Sequence, residues 1–133
     1  MDSISRRTAV AMGVALFGAP RAVAADKLAF AAFRNGVRVG EHEMSFSGAA
    51  DDVAVRAEVS LVVKLGPVPV YRYTHRALER WRGGRFSSLE TTTNGNGKLQ
   101  RVDARRGADG VVIETAGGLV KAPANAVPLT HWK

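Results

Sequence analysis

The alternation of apolar and polar side chains restricts most of this sequence to β structure. Along Val53–Leu61 every odd position is apolar, whereas Arg56, Glu58 and Ser60 occupy even positions. A strand sorts such residues onto two opposite faces, whereas a helix would scatter them around its circumference. No segment of helical period with capping residues is long enough to form crossover helices. The pattern therefore predicts an all-β fold.

Short turn sequences separate the predicted strands. The clearest is Asn35-Gly36, because a two-residue type I′ turn needs positive φ at both central residues. Such turns favour antiparallel pairing of consecutive strands. The predicted strands are Leu28–Arg34, Val37–Phe46, Val53–Leu61, Val70–Trp81, Phe86–Thr93, Lys98–Arg106, Val111–Thr115 and, with a weaker signal, Leu119–Lys121. We predict an antiparallel meander of seven or eight strands that forms a strongly curved sheet or a partial or complete β-barrel.

Three local features refine this expectation. Gly40 interrupts the second strand where the parity of the apolar residues changes, which predicts a β-bulge or a close approach of backbones. The prolines of Gly66–Pro69 cannot donate to a ladder, so this segment is expected to be a stiff connection. The strand Val70–Trp81 is long enough to require bending, which suits a curled sheet.

Residues 1–24 have the organisation of an export signal, and residues 25–133 are predicted to form a single β domain. Arg6-Arg7 precede the apolar run Ala9–Ala19, and Ala22-Val23-Ala24 provides a cleavage site of the Ala-x-Ala type. The paired arginines resemble a twin-arginine signal, although Ala9-Val10 replaces the usual Phe-Leu. We therefore expect a periplasmic or otherwise exported protein, by the twin-arginine or the general route.

Composition excludes several classes of function. The chain has no cysteine, which rules out disulfides, thiol catalysis and cysteine-bound metals. No apolar run approaches the roughly 20 residues of a membrane-spanning helix. Residues 25–133 carry 16 basic and 11 acidic side chains, a net charge of +5. A basic exported domain is expected to meet anionic components of the envelope rather than nucleic acid.

The long strand Val70–Trp81 supplies the candidate ligand-binding residues. One face is aromatic and the other carries arginines at four-residue spacing. The candidates are Tyr71, Tyr73, His75 and Trp81 on the first face and Arg72, Arg76 and Arg80 on the second. An aromatic face can form a hydrophobic core or line the concave side of a curved sheet, where apolar ligands bind. Both interpretations stay open.

Basic residues are concentrated between Arg72 and Arg106, where nine Lys or Arg accompany three acidic residues. If consecutive strands pair, Arg101 or Arg105 could lie near the arginines of Val70–Trp81 and form a positive stripe. Such a stripe would suit phosphate, sulfate or carboxylate groups of a lipid or an anionic glycan. The alternative is an ordinary solvated sheet face whose charges protect it against aggregation.

His75 is the one candidate for acid–base catalysis. Glu79 shares its strand face but lies about 13 Å away, so a dyad would need a cross-strand carboxylate such as Glu90 or Asp103. The structural alternative is a histidine that hydrogen-bonds a neighbour on the aromatic face. His42, His75 and His131 lack metal-ligand spacing, so we expect no metal and no cofactor.

Two segments resemble an uncharacterised family of exported bacterial proteins. They are Leu65–Arg76 with the following Glu79–Arg85, and the hairpin Phe33–His42. The resemblance covers most of residues 27–133 and implies a curved antiparallel sheet, but it implies no activity because the family has none established. Its members continue beyond a tryptophan like Trp132. This favours a C-terminally truncated domain over one in which Trp132 docks on the sheet.

These observations favour a non-enzymatic exported β domain that binds an amphipathic or anionic envelope component, either a lipid or a glycan. Two other functions stay open. One is a hydrolase-type enzyme that uses His75 with a cross-strand carboxylate. The other is a structural or protein-interaction module that pairs its open sheet edges with a partner. The sequence leaves the oligomeric state undetermined.

Overall fold

The computed structural model describes residues 26–129 and 132, and within them the predicted all-β meander is confirmed. Eight antiparallel strands form one sheet in the order of the sequence, and the described residues contain no helix. The strands are β1 (Asp26–Arg34), β2 (Val37–Ala49), β3 (Asp52–Leu65), β4 (Val68–Arg82), β5 (Arg85–Gly95), β6 (Lys98–Gly107), β7 (Gly110–Thr115) and β8 (Gly118–Ala122). The sheet is not closed into a barrel, so β1 and β8 are its edges. The predicted export signal lies outside the described residues.

The turn chemistry expected from the sequence is present in the backbone. Asn35 and Gly36 have φ of 50° and 77° and form the two-residue connection between β1 and β2. Gly83 and Gly84 have φ of 55° and 72° and join β4 to β5 in the same way. Positive φ at both central residues matches the right-handed twist of the flanking strands, which fixes the strand register.

The two faces of the sheet differ in burial as the alternation predicts. On β4, Ala77, Glu79 and Trp81 are buried, whereas the alternating positions Arg76, Arg80 and Arg82 are exposed and Leu78 is half-buried. Directly opposite residues of antiparallel strands point to the same side, so the face can be followed across the sheet. We call the side that carries Ala77, Glu79 and Trp81 the inner face and the opposite side the outer face.

The hydrophobic core occupies only one end of the inner face. Six strands, β2 to β7, contribute one buried residue each: Met44, Val55, Trp81, Phe86, Ala104 and Val111. The segment that follows β8 packs against this cluster through Ala126 and Trp132. The indole of Trp132 meets Trp81 and Phe46 edge-on, with ring centroids 5.5 and 5.6 Å apart. Trp132 therefore docks on the sheet.

The buried carboxylate of Glu79 holds the segment that follows β8 on the sheet by a hydrogen bond. The Oε2 atom of Glu79 accepts hydrogen bonds from the indole Nε1 of Trp81 at 3.0 Å and of Trp132 at 3.1 Å. Glu79 itself is buried. Because hydrogen bonds to an ionised group are stronger than neutral ones, we expect this contact to hold the C-terminal segment over the core.

The pairing of the strands refines two expectations from the sequence, one for Gly40 and one for Gly66–Pro69. The predicted irregularity near Gly40 is present, with Ala32 opposite Gly40 and Phe33 opposite Arg38, so that Val39 is the extra residue. A Cβ on Gly40 would lie only 1.9 Å from the carbonyl oxygen of Ser60, so this close approach requires glycine.

The connection expected over Gly66–Pro69 is shorter than predicted, because β4 already begins at Val68. Pro69 pairs with Lys64 next to a register shift, and the pairing of β4 with β5 begins only at Tyr73. The proline therefore occupies a stretch of β4 that has a neighbour on one side alone, where a missing N–H is tolerated.

We predict that the Glu79→Leu variant is destabilised by about 3 kcal/mol, because it removes the acceptor of two indole N–H groups. Urea denaturation followed by circular dichroism measures the free energy of unfolding. The matched control is Glu90→Leu on the outer face, where the side chain is exposed and the change is expected to stay within about 0.5 kcal/mol. Equal stability of the two variants would contradict a structural role for the buried carboxylate.

Candidate ligand-binding site

The aromatic candidates of β4 lie along the inner face, from the open end of the sheet to its core. Tyr71 is 41% exposed, Tyr73 and His75 are half-buried, and Trp81 is buried beneath Trp132. Ten residues separate Tyr71 from Trp81, which is about 33 Å along a strand. Trp81 is therefore part of the core, whereas Tyr71 and Tyr73 belong to the uncovered part of the same face.

His75 sits in a row of inner-face residues contributed by neighbouring strands. Val59 and Thr93 lie directly opposite it on β3 and β5, and His42 lies opposite Val59 on β2. The Nδ1 atom of His75 is 2.7 Å from the Oγ1 of Thr93, and the ring stacks on Tyr73 with centroids 6.5 Å apart. Burial lowers the pKa of His75, and the nearby His42 lowers it further. Both effects favour the neutral imidazole.

The carboxylates proposed as partners of His75 lie on the other side of the sheet. Glu90 is opposite Leu78, and Asp103 is opposite Glu90, so both belong to the outer face. His75 instead hydrogen-bonds the Thr93 hydroxyl. The His75–carboxylate dyad expected for hydrolase-type catalysis is therefore not assembled.

The three candidate arginines of β4 lie on the outer face and are exposed. The register places Arg101 in the cross-strand row of Arg76 and Arg105 in that of Arg80, with one strand between the two arginines of each row. The expected proximity of arginines from β4 and β6 is thus present.

Acidic residues, however, are distributed among these arginines. Arg76 approaches Glu58 at 3.8 Å, and Arg105 approaches Glu90 at 3.9 Å. All these side chains are substantially exposed, so each pair contributes little to stability. The outer face therefore carries mixed charges rather than a continuous positive stripe.

The seven candidate residues consequently do not form one site. Tyr71, Tyr73, His75 and Trp81 are on the inner face, and Arg72, Arg76 and Arg80 are on the outer face, with the thickness of the sheet between them. A ligand on the uncovered inner face would need cations from another part of the molecule.

Such cations surround a cleft at the open end of the sheet, which sequence reasoning missed. The cleft has a volume of about 820 Å³ and lies between the β1–β2 turn and the β3–β4 turn. Its apolar lining consists of Val37, Val39, Val62 and Val63, and its basic lining consists of Arg34, Arg38 and Lys64. Val63 is directly opposite Tyr71, so the cleft adjoins the exposed end of the aromatic row. In a meander, every second turn lies at the same end of the sheet. The predicted β1–β2 and β3–β4 turns could therefore have indicated a site between them.

The electrostatics of the cleft favour an anion. Arg38 is paired with Glu41 at 3.2 Å, an exposed contact within one strand. Among the described residues, Arg34 and Lys64 take part in no ion pair. Basic groups beside an apolar lining can hold the charged head and the hydrocarbon part of one amphipathic molecule.

In residues 26–129 and 132, no three acidic or histidine side chains converge in a way that could hold a metal ion. His131 lies outside the described residues. The part of the chain that the structure describes has no helix long and apolar enough to cross a membrane.

We predict that the pKa of His75, measured by NMR titration of the full chain, lies below its ordinary value of about 6.5. The unfolded chain then binds a proton more readily than the folded chain. The contribution of His75 to stability is therefore complete above pH 6.5 and falls as the pH drops from about 6.5 towards the folded pKa.

The His42→Asn variant provides the control for this titration. It should reverse only part of the decrease in the pKa of His75, because burial is the larger cause of that decrease. A pKa of His75 at or above 6.5 in the unmodified chain would contradict the half-buried environment described here.

Comparisons with known proteins identify the family. No curated protein and no solved structure matches the chain. The sequence model of one protein family, described as a domain of unknown function (DUF6134), matches residues 30–133. This range contains both segments on which the resemblance to an uncharacterised family rests. Because the match covers most of the sequence, the chain belongs to the DUF6134 family of domains of unknown function.

Proposed function

We propose that this protein is an exported, non-enzymatic β domain that binds an amphipathic, anionic molecule of the cell envelope at the open end of its sheet. The observation that carries the proposal is the cleft between the β1–β2 and β3–β4 turns, with its valine lining and three basic side chains. Its volume of about 820 Å³ lies within the range of small-molecule sites.

The lining of the cleft favours a lipid over a glycan. Val37, Val39, Val62 and Val63 present hydrocarbon that suits an acyl chain, and the polar side chains of the lining are Asn35 and the three basic residues. The guanidinium groups of Arg34 and Arg38 and the ammonium group of Lys64 suit a phosphate headgroup. Tyr71, next to the cleft, adds an aromatic surface that ends in a hydroxyl group.

Export would bring the protein to a compartment that contains such a ligand. The proposal takes residues 1–24 as a signal, because Arg6-Arg7, the apolar run Ala9–Ala19 and the Ala22-Val23-Ala24 site occur in the order that signals require. An exported domain of bacterial origin would act in the periplasm, where anionic lipids and glycans are exposed.

A second candidate function is association with another copy through the edge strand β1. Leu28 and Phe30 of β1 are 45% and 53% exposed, and the outer edge of β1 has no strand beside it among the described residues. An antiparallel pairing of two β1 strands about Phe30 would place Asp26 opposite Arg34 of the other copy, twice. Opposite charges in directly facing positions stabilise a strand pair.

Charge reversal tests this association by sedimentation velocity. Asp26→Arg and Arg34→Asp should each weaken a dimer of the full chain, because each places like charges opposite one another. A mixture of the two variants should form heterodimers, since both facing pairs then carry opposite charges. A monomeric wild-type chain, or a mixture that stays monomeric, would contradict pairing through β1.

For the ligand-binding function, we predict that Lys64→Glu weakens the binding of dihexanoyl phosphatidylglycerol about tenfold or more, because a charged contact is replaced by repulsion. Isothermal titration below the micellar concentration measures the affinity, with dihexanoyl phosphatidylcholine as the uncharged comparison. Arg85→Glu makes the same change of charge at the opposite end of the sheet and should leave the affinity unchanged. Equal affinity for both lipids, or no effect of Lys64→Glu, would overturn the proposed cleft.

A further inference from the structure

Large apolar side chains project into solvent at the two turns that border the cleft. Phe33 and Val37 flank the β1–β2 turn and are 64% and 66% exposed. Leu65 and Val68 flank the β3–β4 turn and are 75% and 57% exposed. Arg34, Arg38 and Lys64 lie next to them in the sequence. We call these seven residues the tip surface.

The β3–β4 hairpin projects beyond the strand pairs that join it to β2 and β5, and beside it the β1–β2 hairpin continues past Gly40 to its own turn. The pairing of β3 with β2 ends at Leu61, and the pairing of β4 with β5 ends at Tyr73. Beyond these points β3 and β4 pair only with one another, up to Leu65 opposite Val68. The projection is four residues long, or about 13 Å. An apolar tip on a two-stranded projection has no core of its own to join.

The turns at the opposite end of the sheet have a different character. The β2–β3 turn contains Ala50 and Asp51, the β4–β5 turn contains Gly83 and Gly84, and the β6–β7 turn contains Asp109. None of these turn residues is a large exposed hydrophobic side chain. The tip surface therefore differs from these three turns, whose own residues expose no large hydrophobic side chain.

We infer that the tip surface docks on the surface of an anionic lipid bilayer, with Phe33, Val37, Leu65 and Val68 in the headgroup region. Exposed apolar groups gain free energy when they enter the interface, and each nearby Lys or Arg is attracted to anionic headgroups. The projection of about 13 Å exceeds the 5–10 Å depth to which interfacial segments are buried. The inference rests on the proposed function, because the cleft between the two turns then opens towards the lipids that it binds.

The cations of the tip surface and the anionic headgroups of a bilayer carry opposite charges. This favours a bilayer over a soluble apolar protein as the partner of the tip surface. Of the three cations in the tip surface, only Arg38 is paired with a carboxylate among the described residues, at 3.2 Å. A dry protein interface would have to bury Arg34 and Lys64 without partners, which is costly. In the headgroup region of a bilayer, the same cations stay hydrated and meet phosphates.

Co-sedimentation of the full chain with vesicles tests the inference. Vesicles of equal parts phosphatidylglycerol and phosphatidylcholine should bind the chain, and vesicles of phosphatidylcholine alone should bind it at least about tenfold more weakly. The double variant Leu65→Ser with Val68→Ser should lose at least about tenfold in affinity for the anionic vesicles. Equal binding to both kinds of vesicle, or no effect of the double variant, would overturn the inference.

A matched variant controls for hydrophobicity in general. Val127→Ser with Leu129→Ser removes two exposed apolar side chains, 63% and 96% accessible, from the segment that lies near Gly84 and Arg85 at the other end of the sheet. This variant should bind vesicles like the wild type. All variants retain Ala9–Ala19, so any contribution of that apolar run is the same in each.

Labelling locates the contact directly, because the chain has no cysteine of its own. An environment-sensitive fluorophore on the Leu65→Cys variant should shift to shorter wavelength when anionic vesicles are added, whereas the same label on Leu129→Cys should not. A shift at both positions, or at neither, would contradict docking through the tip surface.

The outcomes separate this inference from the proposed function. If short-chain phosphatidylglycerol binds in a Lys64-dependent way but vesicles do not bind, docking is wrong and the cleft stands. If vesicles bind through Leu65 and Val68 but the short-chain lipid does not bind, docking stands and the cleft is wrong.

Discussion

The structure depends on covering one face of a single-layer sheet. Eight strands of a meander present two faces to their surroundings, and the apolar one must be shielded from water for the sheet to be stable. The shield here is the segment after β8, in which the indole N–H of Trp132 donates to the Glu79 carboxylate, and the same carboxylate also accepts from Trp81 on its own strand. The described residues of this segment cover the end of the face that carries Val55, Trp81 and Phe86.

The functional proposals follow from the end that remains uncovered. There the inner face continues through Tyr73 and Tyr71 to the cleft, and the β3–β4 and β1–β2 hairpins continue separately beyond the last pair that joins them. The same molecule therefore combines a packed end, which supplies stability, with an apolar and basic end, which supplies a surface for amphipathic partners. The arginines on the outer face of β4 belong neither to the packed end nor to the apolar and basic end, since they are exposed to solvent among acidic residues.

Alternation and turn chemistry made the sheet predictable, because both are local properties of the chain. The two faces of Val53–Leu61 and the Asn35-Gly36 turn could be predicted correctly without knowledge of any distant contact. The placement of His75 and Glu90 on opposite faces could not be predicted in this way. A shift of one residue in the register decides which face a cross-strand partner occupies. The cleft also depends on a non-local quantity, namely how far the β1–β2 and β3–β4 hairpins continue beyond their last shared pair, Gly40 opposite Leu61. No single segment of the sequence contains that information.

The consecutive strand order has a consequence for how the chain reaches its folded state. Each strand pairs only with its neighbours in sequence, so the ladder can grow hairpin by hairpin with small loop-closure entropy at every step. The contact between Trp132 and Glu79 spans 53 residues, and the tryptophan follows all eight strands in the sequence. In a chain synthesised from its N-terminus, the residues of all eight strands are made before Trp132, which packs on the core. The contact between Trp132 and Glu79 can thus form only after all eight strands have been synthesised.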